Sequence, residues 1–263
     1  MLTIAKEQLA EKNMVMAQLG FVGASAQFFD FEQPAEAVAA LDDLQKGIPE
    51  AGVSAEIYRQ KFEYYMGLGA KGASSAAATA KKYESDAIGG AWPDGFAVEA
   101  TFYQVLAESA SPSDFQNKLR NVISKARTAN PLVSVLANVE LAHSLRKNKD
   151  ADGAQRIYEE VAGRDGVDDS SRAGAFLGLG QIKLEAAAEG SEEAKQALLL
   201  FLRVRLETRA AWPSLQAEAL FHASSAAAKW RGPEYRYIMG RCRGMLLNEF
   251  KGSDWARQMR DRG

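Results

Sequence analysis

One cysteine in 263 residues, Cys242, excludes an internal disulfide and says nothing about compartment. Histidine is nearly as scarce, with only His143 and His222, and neither has a Cys or an acid at i+4 in metal-ligand spacing. No apolar run outlasts Ala197–Leu202, far short of the roughly 20 residues a membrane-spanning helix needs. The opening MLTIAKEQLAEKN is charged and lacks the apolar centre of a secretory signal. A surplus of positive charge is missing too. With 32 Lys and Arg against 34 Asp and Glu the net charge is −2, so overall basicity does not argue for nucleic acid. No stretch alternates apolar and polar residues with a period of two, so strands are not expected. The chain reads as all-α.

What is present is a soluble composition, 47% hydrophobic and 25% charged, able to bury a core. Within it one pattern recurs. Leu136–Val161, LANVELAHSLRKNKDADGAQRIYEEV, is an apolar helix, a short polar turn and a second apolar helix, marked by Leu141-Ala142, Leu145, Ala154, Tyr158 and Val161. The preceding stretch repeats it with Tyr103, Leu106-Ala107 and Ala110, then Leu119, Ile123, Ala126 and a closing Pro131. Leu106 to Leu141 and Leu119 to Ala154 are both 35 positions apart, so the two halves shift together. Further copies run through Phe21, Ala24, Phe28, Ala37, Leu41, Leu44 and Pro49; through Phe176, Leu179-Gly180, Ala194, Leu198 and Phe201; and through Leu220, Ala223, Ala227, Ile238, Cys242, Met245 and Phe250. A degenerate copy lies around Phe62, Tyr65, Ala76, Ala80 and Tyr83.

These spacings resemble the tetratricopeptide repeat, a helix–turn–helix of about 34 residues with W-x2-L-G-x2-Y in its first helix and A-x3-F in its second. Leu141-Ala142 takes the Leu-Gly place, Leu145 the Tyr place, and Ala154-x3-Tyr158 the Ala-x3-Phe place. The resemblance implies a right-handed α-solenoid of about six such units, the second degenerate, with SDWARQMRDRG as a short C-terminal helix stub. The close of the last unit, Met245-Leu246-Leu247-x2-Phe250-Lys-Gly-Ser253-x2-Ala256, is similar to that of bacterial envelope-type repeat proteins, the Tol–Pal coordinator and outer-membrane assembly lipoprotein families, with Phe-Lys replacing Tyr-Pro.

Local signals set the boundaries. Thr3–Leu19 is a helix that runs on toward the first unit, and Pro34 opens the next. Ser54 is the expected cap of the helix carrying Tyr58, Phe62 and Tyr65. Gly67–Ser75 is a soft junction, and IGGAWPDG at 88–95 divides an irregular half, residues 1–90, from regular repeats in residues 91–263 of one continuous solenoid. Ser111-Pro112 and Asn130-Pro131 are cap-plus-proline helix starts, and Ser191-Glu192-Glu193 opens another helix with acids at its positive end.

Catalytic and metal motifs fare poorly. Asn148-x-Asp150-x-Asp152-Gly153-x5-Glu159 satisfies much of an EF-hand loop, but Asn replaces the first acid and Arg156 sits at the ninth position, so a helix–helix turn is expected rather than a calcium site. No phosphate-binding loop, nucleophile elbow or zinc pair is visible, so neither an enzyme nor a cofactor is expected. Cys242 is expected to be a buried filler. From Phe201 onward twelve Lys and Arg face six Asp and Glu, and Arg236, Arg241 and Arg243 form a candidate patch for an acidic partner.

The resemblance implies a non-enzymatic scaffold whose concave groove, lined by first helices, binds a peptide or a helix of another protein. Carried over by position, the groove residues are Gln104, Glu108, Val139, His143, Arg146, Phe221, Ser225 and Lys229. The Lys/Asn/Arg set that clamps a C-terminal carboxylate in chaperone-binding members is unmatched, since Glu108 and His143 stand where Asn is needed. Self-assembly into a homo-oligomer is the competing expectation, and a calcium-dependent adaptor the third. No nucleic acid or membrane insertion is expected of this segment, and its compartment is left open between cytoplasm and periplasm or envelope.

Overall fold

The computed structural model describes residues 2–48, 50–107 and 111–262, with side chains from residue 13 onward. Pro49, Glu108 and Ala110 lie outside the described residues. Among those described there are thirteen α-helices and no strand. They are α1 (Leu2–Phe29), α2 (Pro34–Gly47), α3 (Ala51–Gly67), α4 (Ala73–Gly89), α5 (Asp94–Ala107), α6 (Pro112–Ala129) and α7 (Pro131–Lys147), followed by α8 (Ala151–Gly163), α9 (Asp169–Ala186), α10 (Glu192–Glu207), α11 (Pro213–Trp230), α12 (Tyr235–Glu249) and α13 (Asp254–Asp261). None is long and apolar enough to cross a membrane.

Short-range chemistry fixes most helix starts. Ser111 accepts from the Asp114 amide, Asn130 from Val133, Asp150 from Gly153, Asp168 from Ser171, Ser191 from Ala194 and Ser253 from Ala256. Each such bond satisfies one of the four amides left unpaired at a helix start and is worth about 1 kcal/mol. Proline occupies the first turn of α2, α6, α7 and α11, where its missing N–H costs nothing. Ser54 corrects the expectation: α3 begins three residues earlier, after Glu50, and Ser54 is buried inside it, its amide bonded to the Glu50 carbonyl.

Each helix packs against the next in sequence. Odd-numbered helices also touch across the gap, α5 on α7, α7 on α9 and α9 on α11, whereas even-numbered ones form no comparable series. The odd helices therefore build an inner layer and the even ones an outer layer, the arrangement of an α-solenoid. Small residues set the spacing. A Cβ on Gly180 of α9 would come within 2.5 Å of the Phe201 ring of α10, and one on Gly178 would overlap the Tyr158 ring of α8. Tyr158 and Phe201 are both fully buried, so α9 is slotted between two aromatic rings.

The curvature brings the chain's two ends together. One apolar cluster joins Phe28, Phe29 and Tyr64 to Phe221, Phe250 and Met259. Phe28 stacks on Tyr64 at 4.6 Å between centroids, and Phe29 meets Phe250 edge-on at 5.9 Å. The Gly252 amide donates to the Phe29 carbonyl at 3.1 Å, Arg257 donates to the Gly67 carbonyl, and Arg260 pairs with Glu32 at 2.9 Å. A second cluster runs from Ala55 to Leu141 across the Ile88–Gly95 turn, so residues on both sides of that turn share one core.

Candidate functional site

The inner layer holds a cavity of about 460 Å3. Phe62, Tyr103, Phe115 and Trp212 supply aromatic walls, and Met66, Leu106 and Leu215 complete the apolar lining. Arg59, Phe62, Glu63 and Met66 arrive at i, i+3, i+4 and i+7 on one face of α3. From α7 come Glu140, His143, Ser144 and Lys147, again a single helical face. The start of α11 closes the far side with Trp212, Ser214 and Leu215.

Glu63 is the unusual member. α11 has no cap from its own residues, and Glu63 supplies one from α3, its Oε1 accepting from the Ser214 amide at 3.0 Å. A carboxylate at the positive end of a helix is favourable. Burial nevertheless pushes its pKa up to about 7, with Glu56 adding to the rise and the hydrogen bonds from Ser214 opposing it. Among the described residues no cation pairs with it. The neighbouring Arg59 is committed elsewhere. Its Nη2 donates to Glu99 at 2.8 Å, its Nε also donates to Glu99, and Nη1 reaches Glu56 at 2.9 Å. Glu99 is 3% exposed and also accepts from Tyr83 at 3.0 Å, the buried end of a network whose Arg59 and Glu56 are half-buried and in which every charged member has a partner.

His143 is held neutral, because burial lowers its pKa. Tyr158, whose pKa burial raises, lies 2.6 Å from its Nδ1. This hydrogen bond engages Nδ1, and the imidazole tautomer sets which of the two groups donates. The Ser144 oxygen accepts from Gln116 at 3.2 Å and from Asn148 at 3.4 Å. Deeper on the inner face Gln181 donates to Glu218 at 2.8 Å. Burial works against the Glu218 charge, yet His222 and this hydrogen bond hold its carboxyl below the usual range.

Comparison with family models, with curated proteins and with solved structures finds no match.

Of the described residues expected to line a groove, only His143 reaches the cavity. Gln104 turns outward and donates to Glu84 at 2.6 Å. Glu108 lies outside the described residues. Val139 and Phe221 are each 3% exposed and offer no partner surface, which corrects their assignment: Val139 meets Gly174 of α9, and Phe221 lies under Trp255 of α13 with the Arg262 guanidinium over its ring. Arg146 pairs with Glu185 of α9, Ser225 donates to its own helix at Phe221, and Lys229 donates to the Leu184 carbonyl near the end of α9. These three side chains fasten helices or helix turns. On α12, Arg236 and Arg241 are exposed along a shallow trough with Tyr237, while Arg243 is half-buried on another face. Asp150 spends a carboxylate oxygen on the α8 cap and Asn148 donates to the Ser144 carbonyl, as in an ordinary turn. Among the described residues no three His, Cys, Asp or Glu side chains gather as a metal site requires.

The sequence reading missed Glu63 and Trp212. For Glu63 a signal existed: a carboxylate between Phe62 and Met66 on the i, i+3, i+4, i+7 face that begins at Arg59. Trp212 stands in a loop before Pro213, where no local pattern marks it.

Proposed function

We propose that this chain is a non-enzymatic scaffold of the tetratricopeptide-repeat kind. In this reading about six helix–turn–helix units wind as a right-handed solenoid, the short α13 follows them, and the concave face holds a peptide or helix of another protein. The observation that carries the proposal is the inner cavity, whose wall area is mainly apolar and aromatic with polar and charged side chains set among it. Such a site accepts an apolar side chain from a docking segment. Support for binding rather than catalysis comes from the polar groups themselves. His143 is neutral with Nδ1 engaged, and the Ser144 oxygen receives hydrogen bonds from two amides. The test is capture from native lysate by the wild type, by a Met66→Ala, Phe115→Ala variant, and by Leu206→Ala on the exposed side of α10 as a control. A protein held by the wild type and the control but lost by the cavity variant supports the reading. One held equally by all three removes the cavity from it.

A second reading, self-assembly, is favoured by α1, where Val15, Leu19 and Val22 are 55%, 63% and 68% exposed along one stripe. Light scattering over a hundredfold concentration range decides it, since an unchanging monomer mass would sink the idea.

A further inference from the structure

We infer that the inner cavity is specific for a positively charged side chain, a Lys or Arg presented next to apolar residues of the docking segment, with Glu63 as its counter-ion. The inference rests on the binding role proposed above and names the chemistry of its occupant.

Three observations converge. First, Glu63 opens onto a mainly apolar cavity without a cation paired to it among the described residues, because the neighbouring Arg59 is spent on Glu99 and Glu56. A half-buried carboxyl in such surroundings is stabilised most by a charge of opposite sign brought in with the ligand. Second, Phe62, Phe115 and Trp212 surround the same space, and aromatic faces attract a desolvated cation in addition to packing against its alkyl stem. Third, the remaining charges do not cancel the effect. Glu140 of α7 adds a second acid to the lining, His143 and Tyr103 are both kept neutral, and Lys147 lies exposed at the mouth rather than within. The net charge presented to an occupant is therefore negative at the bottom and mixed at the rim.

Binding and protonation are then linked. The groups facing Glu63 are Arg59 and Glu56 on its own helix, Tyr103 on α5, Glu140, His143 and Lys147 on α7, and the amides that begin α11. An incoming cation favours the ionised form of Glu63, so near neutral pH part of the bound population releases a proton on binding, and affinity rises from pH 6 to pH 8.

The experiment uses three probes of one shape on the whole chain, 4-phenylbutylammonium, 4-phenylbutan-1-ol and 4-phenylbutyrate, titrated by calorimetry in wild type and in Glu63→Gln. Gln keeps an oxygen to accept from the Ser214 amide, so α11 stays capped and the fold can be checked by circular dichroism. The expected result is that the ammonium binds at least tenfold tighter than the alcohol and the carboxylate weakest. In Glu63→Gln the ammonium should fall to the level of the alcohol while the alcohol itself is unchanged. Equal binding of ammonium and alcohol to the wild type, or an ammonium advantage that survives Glu63→Gln, overturns the charge assignment and leaves an apolar docking site. If no probe binds, the inference falls. The scaffold reading falls with it only if the Met66→Ala, Phe115→Ala variant also keeps its captured protein.

Discussion

Gly180→Ala should destabilise the chain although alanine is the better helix former. An added Cβ would lie 2.5, 2.8 and 2.9 Å from three atoms of the Phe201 ring, distances that force a movement. The ring has nowhere to go, since Phe201 is fully buried and stacked on His222 at 5.3 Å. Overfilling of this kind costs about 1–3 kcal/mol, and it is opposed by the roughly 1 kcal/mol that alanine gains over glycine inside a helix. Gly240→Ala in α12 isolates the second effect, because nothing lies within 4 Å of its added Cβ and the site is exposed. The propensity gain is common to both variants and cancels in their difference. Gly240→Ala should therefore be the more stable by about 1–3 kcal/mol, which at a urea slope near 3 kcal/mol/M separates the two midpoints by roughly 0.3–1 M. Equilibrium urea unfolding followed by far-ultraviolet circular dichroism measures this directly. Coincident midpoints with equal slopes would show that α9 and α10 do not depend on a residue without a side chain at Gly180, and the register of that helix pair would be wrong.

Glu63 gives the stability a pH dependence of known sign. Its folded pKa of about 7 lies above the 4.5 of an ordinary glutamate in the unfolded chain, so the folded state binds the extra proton between those values and stability falls as pH rises through that window. The full loss is on the order of 3 kcal/mol above pH 7, and Glu63→Gln should abolish that component, being near wild type at pH 4.5 and more stable at pH 8. Parallel pH profiles of the two proteins in urea would count against it. At the junction of the ends, a Cβ on Gly252 would collide with the backbone oxygen of Phe28. Gly252→Ala should therefore raise amide exchange in α13 and at the end of α3, read by mass spectrometry, and unchanged protection there would mean the ends are not held by this contact. Cys242 is 3% exposed and burial raises its thiol pKa, so Ellman's reagent should react with it only after unfolding. Fast labelling of the native chain would place the thiol at the surface.

Much of the architecture is written in short-range signals. Ser111-Pro112, Asn130-Pro131 and Ser191 begin helices where their side chains and rings say they should, and Leu141, Ala142, Ala154 and Tyr158 are buried as their apolar spacing implies. Ser54 misled because residues that favour caps are also tolerated inside a helix when buried and small, and α3 starts without any side-chain cap. The site was less legible for a different reason. Glu63 meets Ser214 across 151 positions, a contact set by the curvature of the whole inner layer and by no local pattern. Repeat position foretold only His143 among the residues of the cavity lining. It did not tell that α9 would cover Val139, or that α13 would fold back over Phe221.

The meeting of the two ends also has a cost in time. During synthesis Phe28 and Phe29 emerge early, but Phe250 and Met259, which belong to the same cluster, follow about 220 residues later. At roughly 5–20 residues per second that is an interval on the order of 10–45 s in which the first aromatic surface has no cover. An open solenoid settles unit by unit against its nearest neighbour, and a truncated one keeps most of what it has built. Here the earliest helices wait for the last, so a ribosome that stalls late leaves an apolar face exposed rather than a shorter finished array.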